Sequence, residues 1–179
     1  MGFFGLFSKK EKNENEEKAP EKERIYKETP FGRFIYVEYG DEHGYEGDIP
    51  AIDGSDDPID QVAVFFQTDS VDTMEAHVTY QRFSDLMQDR QRSEFELKQA
   101  LAHHFLFKEG KVDSSKTLDE ITESLKITGY YIYVNESQIS VQGDIYVDDL
   151  CLIIFPDGSK EVRFVSYDDG EKHTESLGG

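Results

Sequence analysis

The chain has no tryptophan, one cysteine and five prolines in 179 residues. A lone thiol, Cys151, excludes an internal disulfide and favours a reducing compartment, so a cytoplasmic location is expected. No apolar run approaches the ~20 residues that a membrane-spanning helix needs, which argues against an integral membrane protein. Basic residues are scarce too: 19 Lys+Arg stand against 38 Asp+Glu, a formal net charge of −19. Nucleic-acid binding relies on clustered Lys and Arg and is disfavoured by that balance. The sequence has no G-x-S-x-G elbow, no G-x-x-x-x-G-K-[ST] loop and no G-x-G-x-x-G turn, so nothing in it calls for a nucleotide or any other cofactor.

What is present is apolar and aromatic enough to fold, at 37% hydrophobic and 13% Phe+Tyr. Residues 9–24 hold six bases and six acids and sum to zero, so the whole −19 falls on residues 25–179. Between Phe34 and Gln81 there are 12 acids and no Lys or Arg. A second base-free run, 127–159, carries five acids. An acidic surface of this extent raises solubility, and it also speeds association with basic partners.

Alternating charge and a lack of aromatics over residues 8–24 mark residues 1–24 as a flexible arm, followed by one α+β domain over 25–170 and a disordered tail over 171–179. The arm begins with an apolar heptad. Its Phe3, Phe4, Leu6 and Phe7 precede Lys9-Lys10, an order opposite to that of a secretory signal, and would allow transient contact with a membrane surface or a partner groove.

Period-2 patterning predicts strands at 31–39, 44–52 and 61–68, the last apolar on both faces and therefore internal. A helix capped by Asp72 or Thr73 would align Ala76, Tyr80, Phe83 and Met87 on one stripe. A capping box at Ser93-Glu-Phe-Glu96 would open a second helix running to Lys108, with Gly110 closing it. A second box at Thr117-Leu-Asp-Glu120 would open a third, burying Leu118, Ile121 and Leu125. Strands follow at 130–134, 139–147, 150–155 and 161–167. The expected fold is therefore N-terminal strands, a central group of two to three helices and a C-terminal four-stranded antiparallel meander.

Candidate chemistry is sparse. Cys151 lies in a strand context that reads as buried and inert. Adjacent helical residues diverge by about 100°, so His103 and His104 do not ligate one ion from one helix face; His104 is expected in the core beside Leu97, Leu101 and Phe105. A composite zinc site with His43 or His77 has no support in spacing. The Asp53–Asp60 segment lacks the EF-hand order of ligands and reads as a solvated acidic turn. The expected partner-binding surface comprises Glu38, Asp41, Glu42, Tyr45, Glu46, Asp48, Asp53, Asp56, Asp57 and Asp60, with Tyr45 and Tyr130-Tyr131 partly exposed as interface tyrosines.

Pro30-Phe31-Gly32-Arg33-Phe34 and Tyr45-Glu46-Gly47-Asp48-Ile49, followed by a helical middle and late strands, resemble a family of small acidic bacterial proteins known only as a domain of unknown function. The resemblance covers roughly residues 28–169 and implies bacterial origin and an α+β fold. It assigns no catalytic residues. In composition alone the chain is also similar to immunity proteins that neutralise basic toxins. Two functions follow as expectations. One is a non-catalytic module, immunity-like or adaptor-like, that binds a basic protein partner. The other is a metal-dependent or carboxylate acid/base enzyme that uses His103 or His77.

Overall fold

In the computed structural model the described residues are 24–52, 61–106, 112, 115–143, 145, 147–166 and 169–177. The apolar heptad and most of the arm, the expected helix end at Lys108 with its closing Gly110, and the acidic segment 53–60 lie outside them. Nine strands form one sheet whose spatial order is the chain order. They are β1 (Tyr26–Thr29), β2 (Gly32–Tyr39), β3 (Glu42–Pro50), β4 (Gln61–Gln67), β5 (Lys126–Ile132), β6 (Ser137–Gln142), β7 (Val147–Ile154), β8 (Lys160–Ser166) and β9 (Lys172–Ser176). Every neighbouring pair is antiparallel except β4–β5. Parallel strands need a long crossover, and it is supplied here by the helices α1 (Val78–Gln88), α2 (Arg90–Leu106) and α3 (Leu118–Ser124).

The fold is α+β, but the sheet is larger than the sequence pattern suggests. In place of a four-stranded C-terminal meander there are five consecutive antiparallel strands, β5 to β9, continuous with the first four. The segment expected as a tail supplies β9, which pairs along β8 from Glu161↔Ser176 to Val165↔Lys172. His104 of α2 anchors that strand, with Nε2 2.9 Å from Glu175 Oε2.

All three helices pack on one face of the sheet. Phe34, Phe66, Phe83 and Tyr130 meet there at ring separations of 5.0 Å (Phe34–Phe66), 5.8 Å (Phe66–Phe83) and 6.2 Å (Phe83–Tyr130). Such contacts add about 0.5–1.5 kcal/mol per pair beyond the area they bury. At the other end Phe105 of α2 meets Phe164 of β8 edge-on.

Local chemistry explains the helix boundaries. The N-cap of α1 is His77, whose Nδ1 accepts from the Thr79 amide; the expected cap residue Thr73 instead precedes a short 3-10 turn, Met74–Ala76, that leaves Ala76 exposed. α2 begins at Arg90, three residues before the expected box. α3 carries the box as read: Thr117 Oγ1 accepts from Glu120 N and Glu120 Oε2 accepts from Thr117 N. Gly47 sits where a Cβ would lie 2.8 Å from both the Arg33 carbonyl oxygen and the Phe34 ring. Its glycine therefore lets β2 and β3 approach closely, a structural role.

Candidate functional site

Side-chain alternation divides β3 cleanly. Tyr45 and Ile49 point into the helix-covered core, while Glu42, Glu46 and Asp48 point to the opposite face. No described helix covers that second face. The β2–β3 hairpin that carries it turns tightly, with Tyr39 paired to Glu42 across a Gly40-Asp41 loop and Gly40 at φ 63°. A glycine at the first loop position supplies the positive φ that the twist of such hairpins favours.

Tyr39 is 57% exposed, and its hydroxyl donates to Glu46 Oε2 at 2.6 Å. Donating that bond stabilises the protonated phenol, so Tyr39 holds its proton above the usual tyrosine range. Phe65 of β4 lies on the same face; its ring covers Gly44, where a Cβ would come within 2.4 Å of it. Tyr133 continues the strip, its ring 5.7 Å from that of Phe65. Burial, followed by the charge of Glu42, raises the Tyr133 pKa. The face thus joins a strip of aromatic rings, Tyr39, Phe65 and Tyr133, to the carboxylates of Glu42, Glu46 and Asp48. Glu38 and Asp41 are exposed at the hairpin end. A surface of carboxylates beside aromatic faces can hold Lys and Arg side chains by charge-assisted hydrogen bonds and cation–π contacts.

Three expectations need correction or placement. Tyr45 is fully buried; its hydroxyl donates to the Val71 carbonyl at 2.7 Å and its ring packs on Tyr36 and Phe66. It is a core residue that ties β3 to the connection after β4. Tyr130 is likewise buried, donating to Glu94 Oε1 at 2.7 Å, and only Tyr131 is half-buried. Asp53, Asp56, Asp57 and Asp60 lie outside the described residues.

Sequence reading missed Tyr39 and Tyr133 as site residues, although the alternation of Tyr39 with Val37 and Ile35 carried the signal for the first. It also missed a buried cluster on α2. Arg90 Nε and Tyr130 Oη both donate to Glu94 Oε1, at 2.7 Å each, and Arg90 Nη1 donates to the Pro50 carbonyl at 2.6 Å. Arg90 Nη2 is buried without a hydrogen-bond partner.

For the alternative chemistry, the histidines have separate employments. His77 caps α1 and lies 3.4 Å from Asp69, His104 meets Glu175, and His43 stacks on Tyr36 at 6.4 Å. Among the described residues no group of three or more His, Cys, Asp and Glu is disposed to hold a metal ion. Cys151 is half-buried on the helix-free face rather than sealed in the core. No described helix is long and apolar enough to cross a membrane. No family model, curated protein or solved structure matches this chain.

Proposed function

We propose that this protein is a non-catalytic interaction module, adaptor-like or immunity-like, that holds a basic segment of a partner protein on the helix-free face of its sheet. One observation carries the reading: Glu42, Glu46 and Asp48 alternate onto that face beside the exposed ring of Tyr39, in a stretch with no Lys or Arg from Phe34 to Gln81. Asp41 adds charge at the hairpin loop, whereas Glu38, paired with His43, alternates onto the face of Tyr36 and Tyr45 and does not join this surface. Tyr45 serves this surface from beneath, by fixing β3, and does not touch the partner. The lone cysteine fits a reducing, cytoplasmic compartment, and the resemblance to small acidic bacterial proteins is the ground for a bacterial origin. The partner's Lys and Arg would pair with carboxylates at the rim and lie over Tyr39, a combination that gives fast, salt-sensitive association.

The test is capture of partners from the source cell by the tagged full chain at low and at moderate salt, beside a Glu42→Gln/Glu46→Gln/Asp48→Asn variant. A stoichiometric basic protein that leaves as salt rises and is lost on the variant is the expected result. Retention of the same protein by the variant would discard this surface.

A further inference from the structure

The helix-free face has a second half of different character. Strands β5 to β9 set Gly129, Ser140, Cys151, Arg163 and Thr174 in one row of directly paired positions. The first three are small, so the row forms the floor of a trough, and a depression of about 520 Å³ opens above it. That volume falls within the ~300–1,000 Å³ range of small-molecule sites. Tyr131 walls one side, its ring turned so far over Gly129 that a Cβ there would lie 2.6 Å away. Val165 and Lys172, paired across β8 and β9, wall the other.

The charge of the lining runs against the rest of the chain. On this side of the sheet Arg163 and Lys172 supply the charge, and among the described lining residues there is no Asp or Glu, in a protein with 38 acids and 19 bases. Glu136, in the β5–β6 turn, grips Arg163 from outside the depression: Nη1 and Nη2 donate to its two oxygens at 3.1 and 3.2 Å. Two of the five guanidinium N–H donors are thereby used and three remain, in a fixed orientation. His173, paired with Phe164, turns its ring onto the helix-covered face, so Lys172, exposed at the rim, and Arg163 are the cations a ligand would meet.

We infer that this trough is a binding site for a small organic anion, an oxygen anion such as a carboxylate on a flat apolar body. The anionic group would lie between Lys172 and Arg163 and accept from the Ser140 and Thr174 hydroxyls, with its body against the Tyr131 ring and Val165. The net negative charge of the protein is screened beyond roughly 10 Å at moderate salt, so the cations inside the trough decide the outcome. This site is independent of the Glu42, Glu46 and Asp48 surface.

The experiment titrates the full chain with benzoate at fixed ionic strength, with neutral benzamide as control, and follows backbone amide resonances. Benzoate should shift Ser140, Cys151, Arg163 and Thr174 saturably, and benzamide should not. Lys172→Gln, a substitution at an exposed position that leaves the fold intact, should weaken the affinity about three- to fivefold, the scale of one exposed charge contact. Arg163→Gln should remove saturation. Absence of saturable shifts with benzoate, equal shifts from benzamide, or an affinity unchanged by Lys172→Gln would overturn the assignment.

Discussion

Phe65 and Phe66 are adjacent in β4 and nearly equal in burial, at 6% and 0% exposure, yet they belong to different parts of the molecule. Phe66 meets Phe34, Tyr45, Tyr80 and Phe83 in the helix-covered core. Phe65 lies on the opposite face, over a glycine and against one tyrosine. On the covered face, rings from four strands and α1 interlock, so each specifies the position of the others. On the helix-free face, aromatic residues fill local gaps between polar neighbours and leave carboxylates and cations accessible. The fold is held on one face, and the groups able to recognise a ligand collect on the other.

The largest effect expected from this contrast is in stability. Phe66→Ala removes a ring from a packed cluster and should cost about 3–5 kcal/mol. Phe65→Ala loses burial without opening a deep cavity, and about 1.5–3 kcal/mol is expected. Urea unfolding of the two variants measures the difference directly; equal losses would erase the distinction between the faces.

The Arg90, Glu94 and Tyr130 cluster sharpens the contrast, because it is the covered face's buried polar element. Glu94→Ala would leave the Arg90 guanidinium without its carboxylate. Full burial would make that loss ~3–5 kcal/mol; with the Arg90 side chain 18% exposed, about 2–4 kcal/mol is expected. Burial, and then the facing charge of Glu94, pushes the Tyr130 phenol well above the usual tyrosine range. In the unfolded chain this phenol ionises near pH ~10, while the folded protein retains the proton. Its contribution is therefore complete below pH ~10 and is lost as pH rises above it. Stability measured from pH 8 upward should fall more steeply in the native protein than in Tyr130→Phe, which itself should cost about 1–2 kcal/mol at neutral pH. Identical slopes would show that Tyr130 is not the titrating group.

How far these features were legible in the residues depends on whether their signal is local. β2, β3, β4 and the capping box of α3 were readable because alternation and cap chemistry act within a few residues. β1 (YKET) and β9 (KHTES) were not, since both are short, polar edge strands whose existence depends on pairing to β2 and β8. The parallel β4–β5 contact joins residues more than 60 positions apart and leaves no mark on either segment. Glu94 and Phe95 show a more specific failure. Residue type alone would bury Phe95 and expose Glu94, but Glu94 is 7% exposed and Phe95 48%. The helix starts earlier, and its inward stripe runs through Arg90, Glu94, Leu97, Leu101 and Phe105, so helical phase overrode residue type. Tyr45 was misread for a related reason. Its neighbours Glu46, Gly47 and Asp48 look like surface, whereas strand alternation places it with Ile49 in the core.

A smaller effect is expected at the covered face's edge. Thr117→Ala removes one half of the α3 capping box and should cost about 1 kcal/mol, read as a shift in the urea midpoint. Glu120, whose carboxyl is held below its ordinary pKa by accepting from the Thr117 amide and hydroxyl, should then titrate closer to an ordinary glutamate by NMR. An unchanged Glu120 titration would mean that the box does not persist in solution.

The smallest effect on stability is expected where the effect on recognition is largest. Glu42, Glu46 and Asp48 make no ion pair within the described residues, and the Tyr39 bond to Glu46 is solvent-exposed. Replacing all three acids with their amides keeps their shape and removes mutual repulsion along β3, so unfolding free energy should stay within about ±0.5 kcal/mol of the native value. If the helix-free face holds a basic partner, the same variant loses salt-sensitive capture while Phe65→Ala, less stable but with its acids intact, retains it below its unfolding midpoint. The reverse pattern, capture lost with Phe65 and kept without the acids, would move recognition from charge to the aromatic strip. The two measurements on the same two variants therefore separate a face that binds through its charge from one that binds through its rings.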